Sequence, residues 1–243
     1  EQRLRQFVAD ASHELRTPLA SIQGYTQLLQ KGSADEELAL ARIASESARM
    51  SGLVEDLLLL ARLDAGRELA NDPVDLIPLA IDAVSDAHAA GPDHEWVLDL
   101  PQFDDEDEVC ISRTVAGDES ALRQVFANLV NNARIHTPAG TRVKVGVQVI
   151  GGGASAPGFV RMSVADDGPG IPPELRATVF DRFVRGDTSR SRQGKGSSGL
   201  GLSIVSSIAE ALGGRVDVDT VCEGEAKPGE HGTTFSVILP AIS

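Results

Sequence analysis

The chain is short of cysteine, of positive charge and of long apolar runs, and each shortage narrows what it can be. Its two cysteines, Cys110 and Cys222, lie far apart with no CxxC spacing, so neither a disulfide framework nor a zinc site is suggested, and a reducing cytosol is the simplest compartment. No apolar run approaches the roughly 18 residues of a membrane-spanning helix, and no signal peptide opens the chain. The longest candidate, LVEDLLLLARL, is interrupted by Glu55, Asp56 and Arg62. Against 36 Asp and Glu there are only 22 Lys and Arg, a formal net charge of −14. Such an acidic chain argues against nucleic acid as the main partner, although a single nucleotide site needs only a few local donors. The chain begins with Glu rather than Met and helical patterning starts at once, so it is expected to be a piece of a longer protein.

What is present divides at about residue 66. Leu4, Val8, Ala11, Leu15, Pro18, Ile22, Tyr25 and Leu29 advance in alternating steps of four and three, the seam of a helical bundle, and predict a first helix to about Gln30. Gly32 and Ser33 break it, and Ser33-Ala-Asp-Glu36 has the form of a capping box that starts a second helix. The seam of that helix is Ala39, Ile43, Met50, Leu53, Leu57 and Leu60, with Glu46 as its polar entry. An antiparallel hairpin of this size leaves apolar stripes uncovered, so residues 1–66 are expected to pair with a second copy as a dimeric four-helix bundle. AGRELANDP has linker composition, with the linker set at 67–73.

Residues 74–243 mix both periodicities without strict alternation and predict an α+β domain, a mainly antiparallel sheet with helices on one face. Helices are expected at 76–89, at 118–136 with Asp118 as N-cap, and at 199–212. Strands are expected at 94–100, at VCISRTV beyond an acidic turn (102–108), at 141–150, at FVRMSVADDG beyond a Gly-rich hairpin loop (151–158), and at RVDVDTV and TTFSVILP.

Two constellations carry chemistry. In SHELRTPLA the heptad phase puts His13 on the face opposite the seam, with Glu14 beside it and Thr17 one turn on. An imidazole whose Nδ1 proton is taken by a carboxylate becomes a better nucleophile at Nε2. Pro18 removes the N–H that would have bonded the Glu14 carbonyl, at a cost of about 3 kcal/mol in a helix interior, so a bend beside the histidine is expected.

The second constellation is spread over the α+β domain. Asn128 and Asn132 lie four apart on one helix and direct two amide oxygens to the same place, a donor set suited to Mg²⁺ alongside phosphate. In DDGPGIP, Gly168 and Gly170 permit a tight turn after a strand, and Asp166 can accept from an adenine amino group. Gly199, Leu200 and Gly201 open a helix whose free N–H groups suit phosphate. Between them, VFDRFVRGDTSRSRQGKGSS has the composition of a mobile lid, with Phe180 and Phe183 as hydrophobic hinges and Arg182, Arg185, Arg190, Arg192 and Lys195 as available charge.

FVADASHELRTPLASIQGY resembles the H-box of the sensor histidine kinases of bacterial two-component systems, in the subfamily with H-E-x-x-T-P-L. The later segments resemble, in order, the N, G1, F and G2 boxes of the GHKL (Bergerat) ATP-binding fold, and GTTFSVILP its G3 strand. The resemblance implies that His13 is autophosphorylated from ATP, that Glu14 acts as base, and that Thr17 positions water for removing phosphate from a response regulator. It further implies Mg²⁺ on Asn128 and Asn132, adenine on Asp166, the lid and G2 glycines on the triphosphate, Arg185 reaching the phosphates, and contributions from His136 and Thr233. The implied partners are a second copy through residues 1–66 and a response regulator that receives the phosphoryl group on an aspartate. The full-length protein is expected in the bacterial cell membrane with this part facing the cytoplasm. Two positions depart from the pattern: Ile135, where many members carry Lys or Arg, and Ser197 in place of the first G2 glycine. They keep open a dimeric ATP-binding scaffold with weak or no turnover. A gyrase-like or MutL-like ATPase is disfavoured because those lack an H-box.

Overall fold

The computed structural model describes residues 2–33, 35–66, 68–100, 113–153, 156–184, 198–223 and 231–242. It divides into two compact units, Glu1–Ala65 and Gly66–Ser243.

The first unit is a helical hairpin, α1 (Gln2–Gln30) and α2 (Glu36–Asp64). Its seam follows the expected phase. Ala11, Pro18, Ala39, Leu53 and Leu60 are buried, and Leu15, Ile22, Tyr25, Leu29, Ile43, Met50 and Leu57 are half-buried. Val8 departs from it and is exposed. Helix α1 runs through Pro18, whose ring takes a seam position and is buried.

The turn differs from the expected capping box. Ser33 belongs to the end of α1: with Gly32 at φ +64°, Gly32 N–H donates to the Leu29 carbonyl (3.0 Å) and Ser33 N–H to the Leu28 carbonyl (3.0 Å), a Schellman closure. The cap of α2 is Asp35, whose Oδ1 accepts from Leu38 N–H at 2.9 Å. A carboxylate at the cap also faces the positive end of the helix dipole, an advantage a serine lacks.

The second unit runs β1 (Asp72–Asp75), α3 (Leu76–Ala90), β2 (Glu95–Asp99), β3 (Thr114–Gly117), α4 (Glu119–His136), β4 (Arg142–Gly153), β5 (Ala156–Asp166), the single-turn α5 (Pro173–Arg176), α6 (Gly201–Ala211), β6 (Arg215–Val221) and β7 (Gly232–Pro240). Five strands form one sheet in the order β2-β4-β5-β7-β6, antiparallel except for the parallel β2–β4 pair. One face, from Val143, Val145, Val147, Val160, Met162, Val164, Phe235 and Val237, packs under the apolar stripes of α3, α4 and α6. Leu122, Val125, Phe126 and Leu129 of α4 are at most 1% exposed, as are Ile204, Val205 and Ile208 of α6. Each side chain so buried contributes about 1.5–3 kcal/mol of transfer free energy. Asp118 caps α4 as expected, its Oδ1 accepting from Ala121 N–H at 3.0 Å.

Two strand expectations change. The strand expected at VCISRTV lies outside the described residues over 109–112; its end forms the start of β3, which pairs not with β2 but with β1, in a separate two-stranded sheet that sets Val74 against Val115. DPVD reads as linker because Pro and Asp weaken strand propensity, yet a four-residue edge strand tolerates a proline. The loop expected at 151–158 is mostly strand: β4 and β5 stay paired to Gly153 and Ala156, with Gly151 at φ +66°. The acidic turn and the 185–197 segment lie outside the described residues.

Asp56 sits half-buried on α2, and burial, with Glu55 adding repulsion, pushes its carboxyl up to about 6. Between about pH 4 and 6 the folded chain therefore holds the proton more tightly than the unfolded one, and this group's contribution to stability is lost as pH rises through that window. Asp56→Asn is expected to melt higher than wild type at pH 7, with the gap narrowing toward pH 5 in thermal unfolding monitored by circular dichroism.

Candidate functional site

In the first unit the phase of the seam fixes the rotation of α1 and turns one patch outward. His13 and Thr17 are exposed and Glu14 is half-buried. Thr17 Oγ1 lies 3.5 Å from the His13 carbonyl, a weak bond that keeps the hydroxyl on the histidine's turn. Glu14 leans across the hairpin, its Oε2 3.8 Å from Arg49 Nη2, while Arg49 Nη1 stands 3.8 Å from Glu46 Oε2. Glu46, the polar residue of the α2 seam, is thereby provided with a cation. Nothing in α2 alone singles out Arg49; the register of the hairpin brings it to Glu14.

In the second unit the residues expected to act together come from four elements. Asn128 and Asn132 lie half-buried on α4. Gly201, first residue of α6, comes so close to Asn128 that a Cβ there would touch its amide carbon and oxygen at 3.5 Å. Asn128 Nδ2 is buried with no hydrogen-bond partner among the described residues. Leu200 is fully buried and anchors the start of α6, and its N–H donates to Ser198 Oγ at 3.3 Å. Gly199, at φ +71°, accepts from Phe183 N–H at 2.7 Å, and Phe180 packs edge-on against Phe235 of β7 with ring centroids 6.0 Å apart. The two ends of the expected lid are therefore tied to each other and to the core.

Asp166 ends β5 directly opposite Thr233 of β7. Its Oδ1 accepts from Gly168 N–H at 2.9 Å, and the Thr233 N–H also donates to the carboxylate. Burial nevertheless dominates and pushes the carboxyl up to about 6, against the downward pull of those two N–H groups and with some repulsion from Asp167. The adjacent acids are sorted by their bonds, since Asp167 Oδ1 accepts from Arg142 N–H at 2.8 Å and is fastened to β4. Gly168 and Gly170 have no room for side chains: a Cβ on Gly168 would stand 2.7 Å from Thr137 Cγ2, and one on Gly170, at φ +77°, would collide with the Val221 carbonyl.

His136 and Ile135 are half-buried near the end of α4. Arg134 is turned elsewhere, its Nη2 donating to Asn131 Oδ1 at 2.7 Å and its stem against Gly91. Arg182 is half-buried in the first part of the expected lid, whereas Arg185, Arg190, Arg192, Lys195 and Ser197 lie outside the described residues. A groove of about 390 Å³ between α3 and α4 shares no residue with this site. Residues that motif reading passed over are Thr220, Cys222 and His231, which brace the Gly168–Ile171 loop.

The site fits a nucleotide and its metal on its own chemistry. An unpartnered buried amide nitrogen beside a helix N-terminus suits a phosphate oxygen, and the buried carboxylate suits a base amino group. No group of three or more His, Cys, Asp or Glu suited to a metal occurs among the described residues; the hard donors that the motif offers are the asparagine amide oxygens, that of Asn128 also accepting from Gln124 Nε2 at 3.5 Å. Magnesium is compatible with such a sparse protein set because it retains waters and substrate phosphate oxygens.

Comparisons with known proteins converge on one family. Residues 117–243 match the model described as "Histidine kinase-, DNA gyrase B-, and HSP90-like ATPase", and residues 3–66 match the "His Kinase A (phospho-acceptor) domain". The chain is 52% identical over 240 residues to the probable sensor histidine kinase TcrY of Mycobacterium tuberculosis, covering 98% of this chain and 46% of that protein. It is 34% identical over 248 residues to the signal transduction histidine-protein kinase/phosphatase MprB of Mycobacterium leprae, covering 98% of this chain and 44% of that one. The chain thus spans about half the length of the curated relatives it matches. A crystal structure of histidine kinase ThkA in complex with response regulator protein TrrA shares the fold, with TM-score 0.69 at 22% identity over 99% of this chain and 64% of that one.

The site loops test one steric claim directly. A Cβ on Gly232, at φ +144°, would collide with the Asp166 carbonyl, whereas one on Gly213, at φ +71°, would meet nothing within 4 Å. Gly213→Ala is expected to cost about 1 kcal/mol, from the left-handed backbone alone. Gly232→Ala is expected to cost about 3 kcal/mol in urea unfolding, because strand β7 must also move. Equal costs would show that Gly232 is not wedged.

Proposed function

The chain belongs to the sensor histidine kinases, and from that premise we propose that it phosphorylates His13 from ATP and passes the phosphoryl group to an aspartate of a response regulator. The observation that carries the reading is the presence, in one chain, of an outward-facing His13-Glu14-Thr17 turn and of two close pairs in the second unit, Asn128 beside Gly201 and Asp166 opposite Thr233. His13 Nε2 attacks the γ-phosphorus; the P–N bond forms as the bond to the β,γ-bridging oxygen breaks, and ADP leaves. Glu14 takes the Nδ1 proton, which keeps electron density at Nε2. Its ion pair with Arg49 holds that carboxylate on the histidine's turn of the helix. Thr17 is assigned to orienting water when phosphate is removed from the regulator, in keeping with one relative's name as a kinase/phosphatase.

In the second unit Asp166 accepts from the adenine amino group, and the N-terminus of α6 with Gly199 and Gly201 receives the phosphates. Mg²⁺ on Asn128 and Asn132 would neutralise phosphate charge there. His136 and Arg182, and Arg185 beyond the described residues, are assigned to the same ligand. Thr233 acts through its N–H on Asp166. Positioning and charge neutralisation carry most of such a reaction.

We assign residues 1–66 to dimerisation and phosphotransfer, 67–73 to the linker and 74–243 to catalysis. Exposed Val8, Leu19, Leu28, Leu38, Leu40, Val54 and Leu58, four of them more than half exposed, support a second copy packed on the hairpin. No helix among the described residues is long and apolar enough to cross a membrane. The full-length protein, about twice as long in the relatives, is assigned to the bacterial membrane with this part in the cytoplasm.

Incubation with γ-labelled ATP and Mg²⁺ is expected to place acid-labile, base-stable label on wild type and none on His13→Gln. ATP binding without label on wild type would instead favour a scaffold. The raised Asp166 carboxyl adds a pH test. Only the ionised form is a pure acceptor, so ADP affinity is expected to fall about tenfold between pH 7 and pH 5 as Asp166 takes up its proton at about 6. Calorimetric titration should show that fall in wild type and not in Asp166→Asn.

A further inference from the structure

The Gly168–Ile171 loop is shaped from outside by the two strands that follow it. Ile171 N–H donates to Thr220 Oγ1 at 2.9 Å, and the Ile171 carbonyl accepts from Cys222 Sγ at 3.1 Å and from Arg176 Nε at 2.9 Å. The Pro169 carbonyl accepts from Glu223 N–H at 3.1 Å. At the other end the Gly168 carbonyl lies 2.7 Å from Nδ1 of His231, the residue that leads into β7. A carbonyl only accepts, so Nδ1 carries the proton and donates it, in the neutral and the cationic ring alike.

That bond has a particular consequence. The peptide unit between Gly168 and Pro169 has no N–H, because proline supplies its nitrogen, so the Gly168 carbonyl is its sole polar handle. Gly168 lacks a Cβ, so no side chain of its own fixes its backbone, and only the ring of Pro169 narrows its ψ. Its own N–H is what Asp166 Oδ1 accepts from, at 2.9 Å. Holding the carbonyl therefore holds the glycine, and holding the glycine aims the carboxylate.

We propose that His231 is a positioning residue for base recognition: by donating to the Gly168 carbonyl it fixes the loop that orients Asp166 toward the amino group of the adenine. The inference rests on the reading of Asp166 as the base acceptor and adds to it a residue from the far edge of the site. Because His231 acts on the base end of the nucleotide, its loss should weaken ligands that share the adenine by one common factor, whatever their number of phosphates. It should raise KM for ATP and leave kcat at saturating ATP unchanged.

The test titrates the 243-residue chain with ADP and with a non-hydrolysable ATP analogue, for wild type, His231→Phe and His231→Asn. His231→Phe keeps the ring and removes the donor; both ligands should bind about five- to tenfold more weakly, by the same factor. His231→Asn places an amide N–H close to the Nδ1 position and should return affinity to within about twofold of wild type. Equal affinity of wild type and His231→Phe would overturn the proposal. So would a loss that grows with the third phosphate, or a His231→Asn as weak as His231→Phe. Failure of wild type to bind either ligand would overturn the nucleotide reading itself, and the inference with it.

Discussion

The antiparallel pairing of β5 with β7 is the contact on which the proposed nucleotide site depends. It sets Asp166 opposite Thr233 at the end of the ladder, so one strand supplies the carboxylate and the other an N–H to hold it. Side chains alternate along a strand, so a slip of one residue would turn Asp166 away and move Val164 and Met162 out of the core. The core and the site are thus set by one register. The same register brings Gly232 against the Asp166 carbonyl, where no side chain fits, and starts β7 directly after His231. Helices α4 and α6 complete the site because both bury their apolar stripes on the same sheet face, which brings Asn128 to Gly201.

The hairpin works by a simpler rule. Once Ala11, Leu15 and Pro18 face the seam, His13 has to face away, and no further device is needed to expose it. Pro18 serves two ends in that arrangement. Its buried ring fills a seam position, and its missing N–H removes the donor that the Glu14 carbonyl would otherwise meet one turn on. The Glu14–Arg49 pair then links the turn that carries the histidine to α2, so a shift between the two helices would act on the proposed base before it acted on the nucleophile.

Periodicity was a sound guide wherever one face is buried and the other wet: the two helical seams, α4 with its Asp118 cap, and the alternating β6 and β7 are all legible in the residues. It was a poor guide where local preference and tertiary context disagree. Asp72–Asp75 is strand only because β3 pairs with it, and the glycines after Ile150 stay in the ladder because β5 is their partner. Ser33 has the composition of a cap but is consumed by the closure of α1, which leaves Asp35 to begin α2. In the site, residues that carry a motif were visible and those that only brace one were not. Asp166, Gly168 and Asn128 belong to spaced patterns, whereas Thr220, Cys222, His231 and Arg49 act through contacts distant in sequence.

Two features of the proposed nucleotide site oppose folding. Burial holds the Asp166 carboxyl at about 6, so ionising it near neutral pH works against the folded state, and Asn128 Nδ2 is buried with no partner among the described residues. An unmet buried polar atom costs about 1–3 kcal/mol. Elsewhere the sheet and its helices are packed with apolar side chains at or near zero exposure, with His94 Nδ1 and Arg161 Nε also buried without a partner among the described residues. In the proposed site such costs suit a charged, hydrogen-bonding ligand whose polar partners are oriented before it arrives. A ligand offering an acceptor to Asn128 and a donor to Asp166 would relieve both costs together, and its binding would then stabilise this unit by more than its contacts alone suggest.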